Sequence, residues 1–394
     1  MRAFTIGALG LAALALLARC GATDVCHVDS DCATPHVCIA NVCQSPGLID
    51  AGLPADAGQH DSGMADSGRP DSGSPDSGPP DAGPVRMNWT QESPATTPTA
   101  CQSESMAYDS SRGVTVLFGG LNNTSGAPLS ETWEWDGAHW TQMSPVTRPQ
   151  GRIFAAMSYD SARGVTVLFG GDDGDGNIFQ DTWEWDGVTW TRMSPVTSPP
   201  ARETHVLAFD SSRNVTVLFS GVDSSGNFRN TLADTWTWNG TDWTQNMPPA
   251  SPPGRAFASM TFDSVRGVCV LFGGYVQLEP VNDTWEWNGS TWTQVAPVPA
   301  PSIRTWSGMA FDEARGVSVI FGGADNSQAF SDTWTFDGTQ YTQQMPATPP
   351  PARSPGGGMV YDSGHQRVVM YGGANGASGD GVGLTDIWEW GPAH

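Results

Sequence analysis

The ten residues DTWEWDGVTW, at 181–190, decide the fold, because the chain spells them repeatedly. ETWEWDGAHW stands at 131–140, DTWTWNGTDW at 234–243, DTWEWNGSTW at 283–292 and DTWTFDGTQY at 332–341. A sixth copy, DIWEWG at 386–391, breaks off before its last aromatic. In each full copy two short aromatic or β-branched runs flank Asp-Gly or Asn-Gly. Those pairs tolerate the positive φ of a tight hairpin turn, so each phrase predicts two antiparallel strands.

A second pair of strands precedes each phrase. SMAYD and VTVLF at 105–118, joined by the turn DSSRG, are the first such pair. Met106, Met157, Leu207, Met260, Met309 and Met359 mark its copies at intervals of 51, 50, 53, 49 and 50 residues. Thirteen residues after each stands Gly119, Gly170, Ser220, Gly273, Gly322 or Gly372. Four strands per repeat and no helical period follow. The missing end of the sixth phrase has a counterpart upstream. Trp89, in MNWTQ, precedes Met106 by 17 residues, the spacing that Trp140, Trp190, Trp243 and Trp292 keep from the next marker. Residues 87–92 are therefore expected to complete the sixth sheet beside DIWEW, closing a ring and removing its open edges.

A period near 50 residues fits kelch-type arrays. The apolar strand ending in VLFGG, the DTWEW after it and a Trp seven residues beyond the first resemble the kelch repeat, across nearly all of residues 87–394. The resemblance implies an all-β, six-bladed kelch-type β-propeller of four-stranded blades, closed by its N-terminal strand.

The first 86 residues read differently. Residues 1–22, with one Arg and an apolar run from Phe4 to Leu17, are expected to be an export signal, too short and too early for a permanent span. Leu17-Ala18-Arg19-Cys20 resembles a bacterial lipobox with Cys20 as the lipidated residue, although Arg19 departs from the small residue usual there; cleavage after Ala22 is the alternative. Residues 23–45 carry Cys26, Cys32, Cys38 and Cys43, an even set expected to form two disulfides in an oxidising compartment. A zinc knuckle with His27 or His36 is the competing reading and lacks a CxxC pair. Residues 46–86 hold a five-residue repeat from Asp56 to Asp81 with almost nothing apolar to bury, expected to be a disordered spacer.

Net charge is −23, and all 18 basic residues are arginine. That balance excludes a nucleic-acid binder, which needs clustered positive charge against phosphates.

Candidate functional residues lie on one face. The Asp-Ser-x-Arg-Gly and Asp-Gly turns share the other and hardly vary, whereas the six loops between the glycine pair and the phrase have lengths 10, 9, 12, 8, 8 and 12 and unrelated sequences. Variable loops on a rigid repeat are where binding concentrates. Their anchors are Phe179, Phe228, Tyr275 and Phe330, together with Trp306, the one Trp outside the repeat positions, which aligns with Ser103, Phe154, Thr204, Phe257 and Gly356. Arg152, Arg202, Arg255, Arg304 and Arg353 precede the markers by five or six residues, with Cys101 in their place in the first repeat. In kelch adaptors, which the chain resembles, such arginines contact acidic peptides. The alternative is an inter-blade lattice with Glu131, Asp181, Asp234, Asp283, Asp332 and Asp386. Asp173, Asp175, Asn177 and Asp181 have the spacing of a calcium loop, with Ile178 where Gly is preferred. His205, Glu203 and Glu104 are the acid–base candidates.

Two functions are expected to compete. The favoured one is an exported, surface-tethered monomeric module that binds a protein or glycan, touches membrane only through an N-terminal lipid anchor, and needs no cofactor unless calcium. The other is an exported enzyme of mutarotase or epimerase type, acting on a sugar in the central channel. It requires His205, Glu203 and Glu104 to converge.

Overall fold

The computed structural model describes residues 37–39, 42–44, 86–99, 101–223, 225, 228–354, 356, 358–376 and 381–393. The export signal, Cys20, Cys26, Cys32 and the spacer lie outside the described residues, as do the side chains of Cys38 and Cys43. Val37–Ile39 pairs with Val42–Gln44 as a short antiparallel ladder.

Residues 87–393 form an all-β, six-bladed β-propeller of antiparallel four-stranded sheets. Blade 1 is typical: Ser105–Asp109, Val114–Phe118, Thr132–Trp135 and Trp140–Met143 pair in that order. Blade 6 is composite. Met359–Asp362, Arg367–Tyr371 and Ile387–Pro392 are completed by Met87–Glu92, with Trp89 opposite Trp390. In every blade the second strand is largely apolar and buried along its length, because neighbouring blades cover both its faces, with one buried Thr or Ser in four of them. Val167, Leu168 and Phe169 are all fully buried. The core therefore lies between blades: Val116 and Phe118 of blade 1 pack with Leu168, Trp185 and Trp190 of blade 2.

Each letter of the repeated phrase has a task. The leading Asp accepts the indole N–H of the Trp two residues on, as Asp181 does from Trp183 at 2.7 Å. The Thr accepts the N–H of the next blade's closing Trp: Trp190 donates to Thr132, Trp243 to Thr182, Trp292 to Thr235 and Trp89 to Thr333, each at 2.9 Å, and the Tyr341 hydroxyl meets Thr284 at 2.9 Å. The Glu binds an arginine of the Asp-Ser-x-Arg turn, as in Arg163–Glu184 at 2.6 Å, and in blades 1 and 2 it also accepts the next blade's Trp185 or Trp238. The turn Asp or Asn accepts two following backbone N–H groups, and the turn Gly has a φ near +94° in blade 2. A Cβ at Gly187 would also lie 2.7 Å from the Arg112 guanidinium of blade 1, which places the two kinds of invariant turn on one face.

Blade 4 departs from the loop expected after the glycine pair. Its strands run on as Val268–Val276 and Glu279–Trp287, joined at Gln277 and Leu278, with φ of 53° and 72°. Two successive left-handed residues give the turn whose twist matches a hairpin, and Tyr275 and Val276 extend the strand before it.

Candidate functional site

The five strand-start arginines are almost completely buried, at 0–1% exposure. Arg152 holds both oxygens of Asp181, at 2.7 and 3.1 Å, and the Gly170 carbonyl at 2.8 Å. The same fork joins Arg202 to Asp234, Arg255 to Asp283, Arg304 to Asp332 and Arg353 to Asp386. Burial opposes ionisation of these aspartates. The arginine and the tryptophan N–H outweigh it and hold all five below the ordinary carboxylate range. The expected inter-blade lattice is corrected: each ion pair closes within its own blade, and the main chain of the same arginine does the joining between blades. Arg202 N–H donates to Phe179 C=O, and its own C=O accepts from Gly171, both in blade 2. A Cβ at Gly170 would sit 2.5 Å from that Arg202 oxygen, which is why the glycine pair recurs. None of the five arginines lines the channel.

The channel mouth is built by six aligned residues, one per blade, all with left-handed backbone. Ser103, Phe154, Thr204, Phe257, Trp306 and Gly356 have φ of 62°, 56°, 57°, 55°, 53° and 60°. They bond head to tail. Phe154 N–H donates to Ser103 C=O at 3.2 Å, Thr204 to Phe154 at 3.0 Å, Phe257 to Thr204 at 3.3 Å, Trp306 to Phe257 at 2.9 Å and Gly356 to Trp306 at 3.0 Å. Holding a bulky residue at such a φ costs roughly 1–3 kcal/mol, and three of the six are aromatic. Phe257 stacks on Trp306 with ring centres 4.0 Å apart and meets Phe154 edge-on at 5.6 Å. From the loops, Phe228 joins Phe257 at 5.4 Å and Tyr275 meets Trp306 at 6.0 Å, nearly perpendicular. The Tyr275 hydroxyl donates to Asn326 Oδ1 at 2.8 Å.

The structure thus divides the sequence-derived anchors. Trp306, Phe228 and Tyr275 converge. Phe179 and Phe330 do not: they lie under the buried guanidinium groups of Arg152 and Arg304, at 4.2 and 4.4 Å. The signal that separates them was in the chain. Phe179 and Phe330 stand two residues before the phrase's Asp, where Leu129, Leu232, Val281 and Leu384 stand in other blades, so they fill a repeated apolar position. Phe154 and Phe257, missed as anchors, are identified by alignment with Trp306.

The open channel, from these aromatics through to Ser110, Ser161, Ser211 and Ser363 of the opposite turns, holds about 430 Å³. Gln102, Glu104, Thr204, His205 and Ser354 line it near the mouth. Thr204 Oγ1, Ser354 Oγ and Gln102 Oε1 are buried and find no hydrogen-bonding partner among the described residues. Burial, reinforced by Arg202, lowers the His205 pKa to about 3, so its imidazole is neutral at physiological pH. The Phe169 carbonyl slightly favours the charged ring, but neither ring nitrogen makes a well-formed hydrogen bond.

The acid–base trio is divided: Glu104 and His205 line the channel and Glu203 does not. Burial and then repulsion from Asp172 raise its pKa to about 8, and no effect of His205 enters. The charges acting on His205 are Arg202 and Asp234, and neither Glu203 nor Glu104 is among them. The calcium spacing also has another use. Asp181 is occupied by Arg152, and Asp173 accepts the N–H groups of Asp175 and Asn177 and the Asn177 amide, folding the loop on itself. Among the described residues no group of three or more His, Cys, Asp or Glu is arranged to hold a metal. Cys269 is a free, fully buried thiol whose pKa is driven upward by burial.

No protein-family model matches the chain, and neither does any curated protein.

Proposed function

We propose that this chain is an exported, surface-tethered kelch-type propeller that binds a protein or glycan through its variable-loop face, centred on the channel mouth. The observation that carries this reading is the aromatic cluster of Phe154, Phe228, Phe257, Tyr275 and Trp306, three of them held in strained backbone at the mouth of an open cavity. Strain of this kind concentrates at binding sites because surrounding structure must over-determine it. Burial of the strand-start arginines favours recognition by aromatic and hydroxyl-bearing groups over the acidic peptides that the kelch resemblance suggests. The N-terminal signal, the Cys20 lipobox and the acidic spacer supply the export and tether parts of the proposal.

The test is a glycan-array and peptide-library screen of the full chain, with and without calcium. A saturable hit that weakens when the 222–233 or 275–282 loop is exchanged for that of another blade supports the reading. A blank on both libraries, or a hit indifferent to both exchanges, defeats it. Fractionation of cells making a Cys20→Ala variant tests the tether, which predicts release of the protein from the membrane fraction.

A further inference from the structure

We propose that the channel mouth is a pocket for a single neutral pyranose ring, the terminal sugar of the ligand recognised by the loop face. This inference rests on the binding function proposed above and narrows it to one ligand chemistry.

Two observations meet at one place. The first is the aromatic wall contributed by blades 2 to 5, with Phe257 and Trp306 stacked and Tyr275 standing almost perpendicular to Trp306. Opposite it, the aligned positions of blades 6 and 1 are Gly356 and Ser103, which bring no aromatic ring. A ring entering the gap therefore has an apolar wall on one side only. The second is the set of polar atoms just inside. Thr204 is 6% exposed and Ser354 5%, and their hydroxyl oxygens have no partner among the described residues, nor does Gln102 Oε1. Buried polar atoms are nearly always satisfied, and because all three residues line the channel, the partner assigned to them is an occupant of the channel. His205 and Glu104 line the same channel, the imidazole packed edge-on against Phe169 at 5.5 Å.

The ligand must combine a flat apolar patch with several hydroxyls. A pyranose does this, since its axial C–H face stacks on an indole while its equatorial hydroxyls donate to oxygen acceptors and accept from Thr204 and Ser354. An aromatic side chain from a peptide would cover the wall and leave the hydroxyls unmet. A quaternary ammonium would suit perpendicular rings yet offers no hydrogen bond to any of the three oxygens. An anionic sugar would meet a chain of net charge −23, with the strand-start arginines already committed to aspartates. The channel as a whole, at about 430 Å³, falls within the range of small-molecule sites, roughly 300–1,000 Å³.

The experiment is saturation-transfer NMR on the full chain with the methyl pyranosides of glucose, galactose, mannose and N-acetylglucosamine, and with choline and glucuronate as charged probes. At least one neutral pyranoside is expected to saturate and the charged probes to stay silent. Trp306→Gly is the decisive variant, because Gly356 occupies the same left-handed position in blade 6 and the backbone already accepts glycine there. It should weaken binding roughly tenfold. Thr204→Val should weaken it about fivefold through one lost hydrogen bond. Thermal melting checks that each variant is folded; if Trp306→Gly melts early, Phe228→Ala replaces it with the same expectation. Silence from all four pyranosides, equal binding by the Trp variant, or a stronger signal from choline overturns the proposal. A peptide hit in the screen that survives Trp306→Gly overturns it as well, and leaves the loop-face function standing.

Discussion

Five of the six blade junctions are made alike, and the sixth, between blade 6 and blade 1, is not. At the ordinary junctions a closing aromatic packs edge-on against the end of the neighbour's second strand and bonds to a phrase Thr, as Trp190 does with Phe118 and Thr132. At the sixth, Trp140 still packs on Tyr371, with ring centres 5.1 Å apart, but Ile387 stands where the Thr should be, and the Trp140 N–H has no acceptor. The arginine that caps the neighbour's Asp-Gly turn is also replaced: His365 reaches Gly137 where Arg112 reaches Gly187. Blade 1 lacks the buried arginine fork, and its Glu131 accepts instead from Thr99 and Trp133. Apolar packing is thus uniform around the ring, while the polar joints are thinned where the two chain ends meet. Burial drives closure, and the polar groups set how firmly each junction is locked.

The largest effect should come from removing the closing strand. Deleting residues 87–92 takes away Trp89, whose loss as a side chain alone is worth about 3–5 kcal/mol, and exposes the edge of Ile387–Pro392. Cooperative thermal unfolding is expected to disappear; a variant that melted like the parent would show that the ring does not depend on closure. Next in size is the buried fork. Arg255→Ala leaves the partly buried Asp283 without its counter-charge and should cost up to about 3 kcal/mol in chemical denaturation. Glu131→Gln in blade 1, which has no arginine to orphan, should cost under about 1 kcal/mol.

The same denaturation experiment sharpens the contrast between junctions. Trp89→Phe removes an N–H bonded to Thr333, whereas Trp140→Phe removes one with no acceptor, so the first should cost about 1 kcal/mol more than the second. Equal costs would mean that the four Trp–Thr bonds add nothing beyond packing. The smallest effect is on pH. The Asp362 hydrogen bond raises the His365 pKa above its ordinary value. Its contribution is therefore complete below the unfolded value near 6.5 and is lost as pH rises through the folded one. Because the side chain is 55% exposed, solvent screening limits the effect to a few tenths of a kcal/mol. His365→Arg should flatten that dependence in melting curves between pH 5 and about 8.

Much of this was legible in the chain. The phrase, the glycine pair and Trp89 predicted six blades and a composite last one, because strand pairing and turn geometry are local properties that repetition amplifies. Pairing of the arginines with the phrase's aspartates was also readable as complementary charge. Its direction was not: sequence offered a lattice between blades, while the fold gives the side chain to one blade and the main chain to the next. At the mouth, Trp306 stood out as off-pattern, yet Phe154 and Phe257 passed as ordinary members of an aligned set. Their convergence depends on ring closure, which brings together residues 50 to 150 positions apart. Likewise the spacing of Asp173, Asp175, Asn177 and Asp181 said nothing of Arg152, which arrives from another strand.

The head-to-tail bonds of the mouth separate scaffold from message. Five backbone links of the same geometry join the six blades, whatever the side chain, so the collar keeps its form while the letters upon it change. Read from blade 1 to blade 6, this molecule spells Ser, Phe, Thr, Phe, Trp, Gly. A related propeller could spell another word on the same collar and greet a different visitor, with no strand moved. Six single-codon positions thus form an alphabet for re-addressing the protein, and glycine is the blank space.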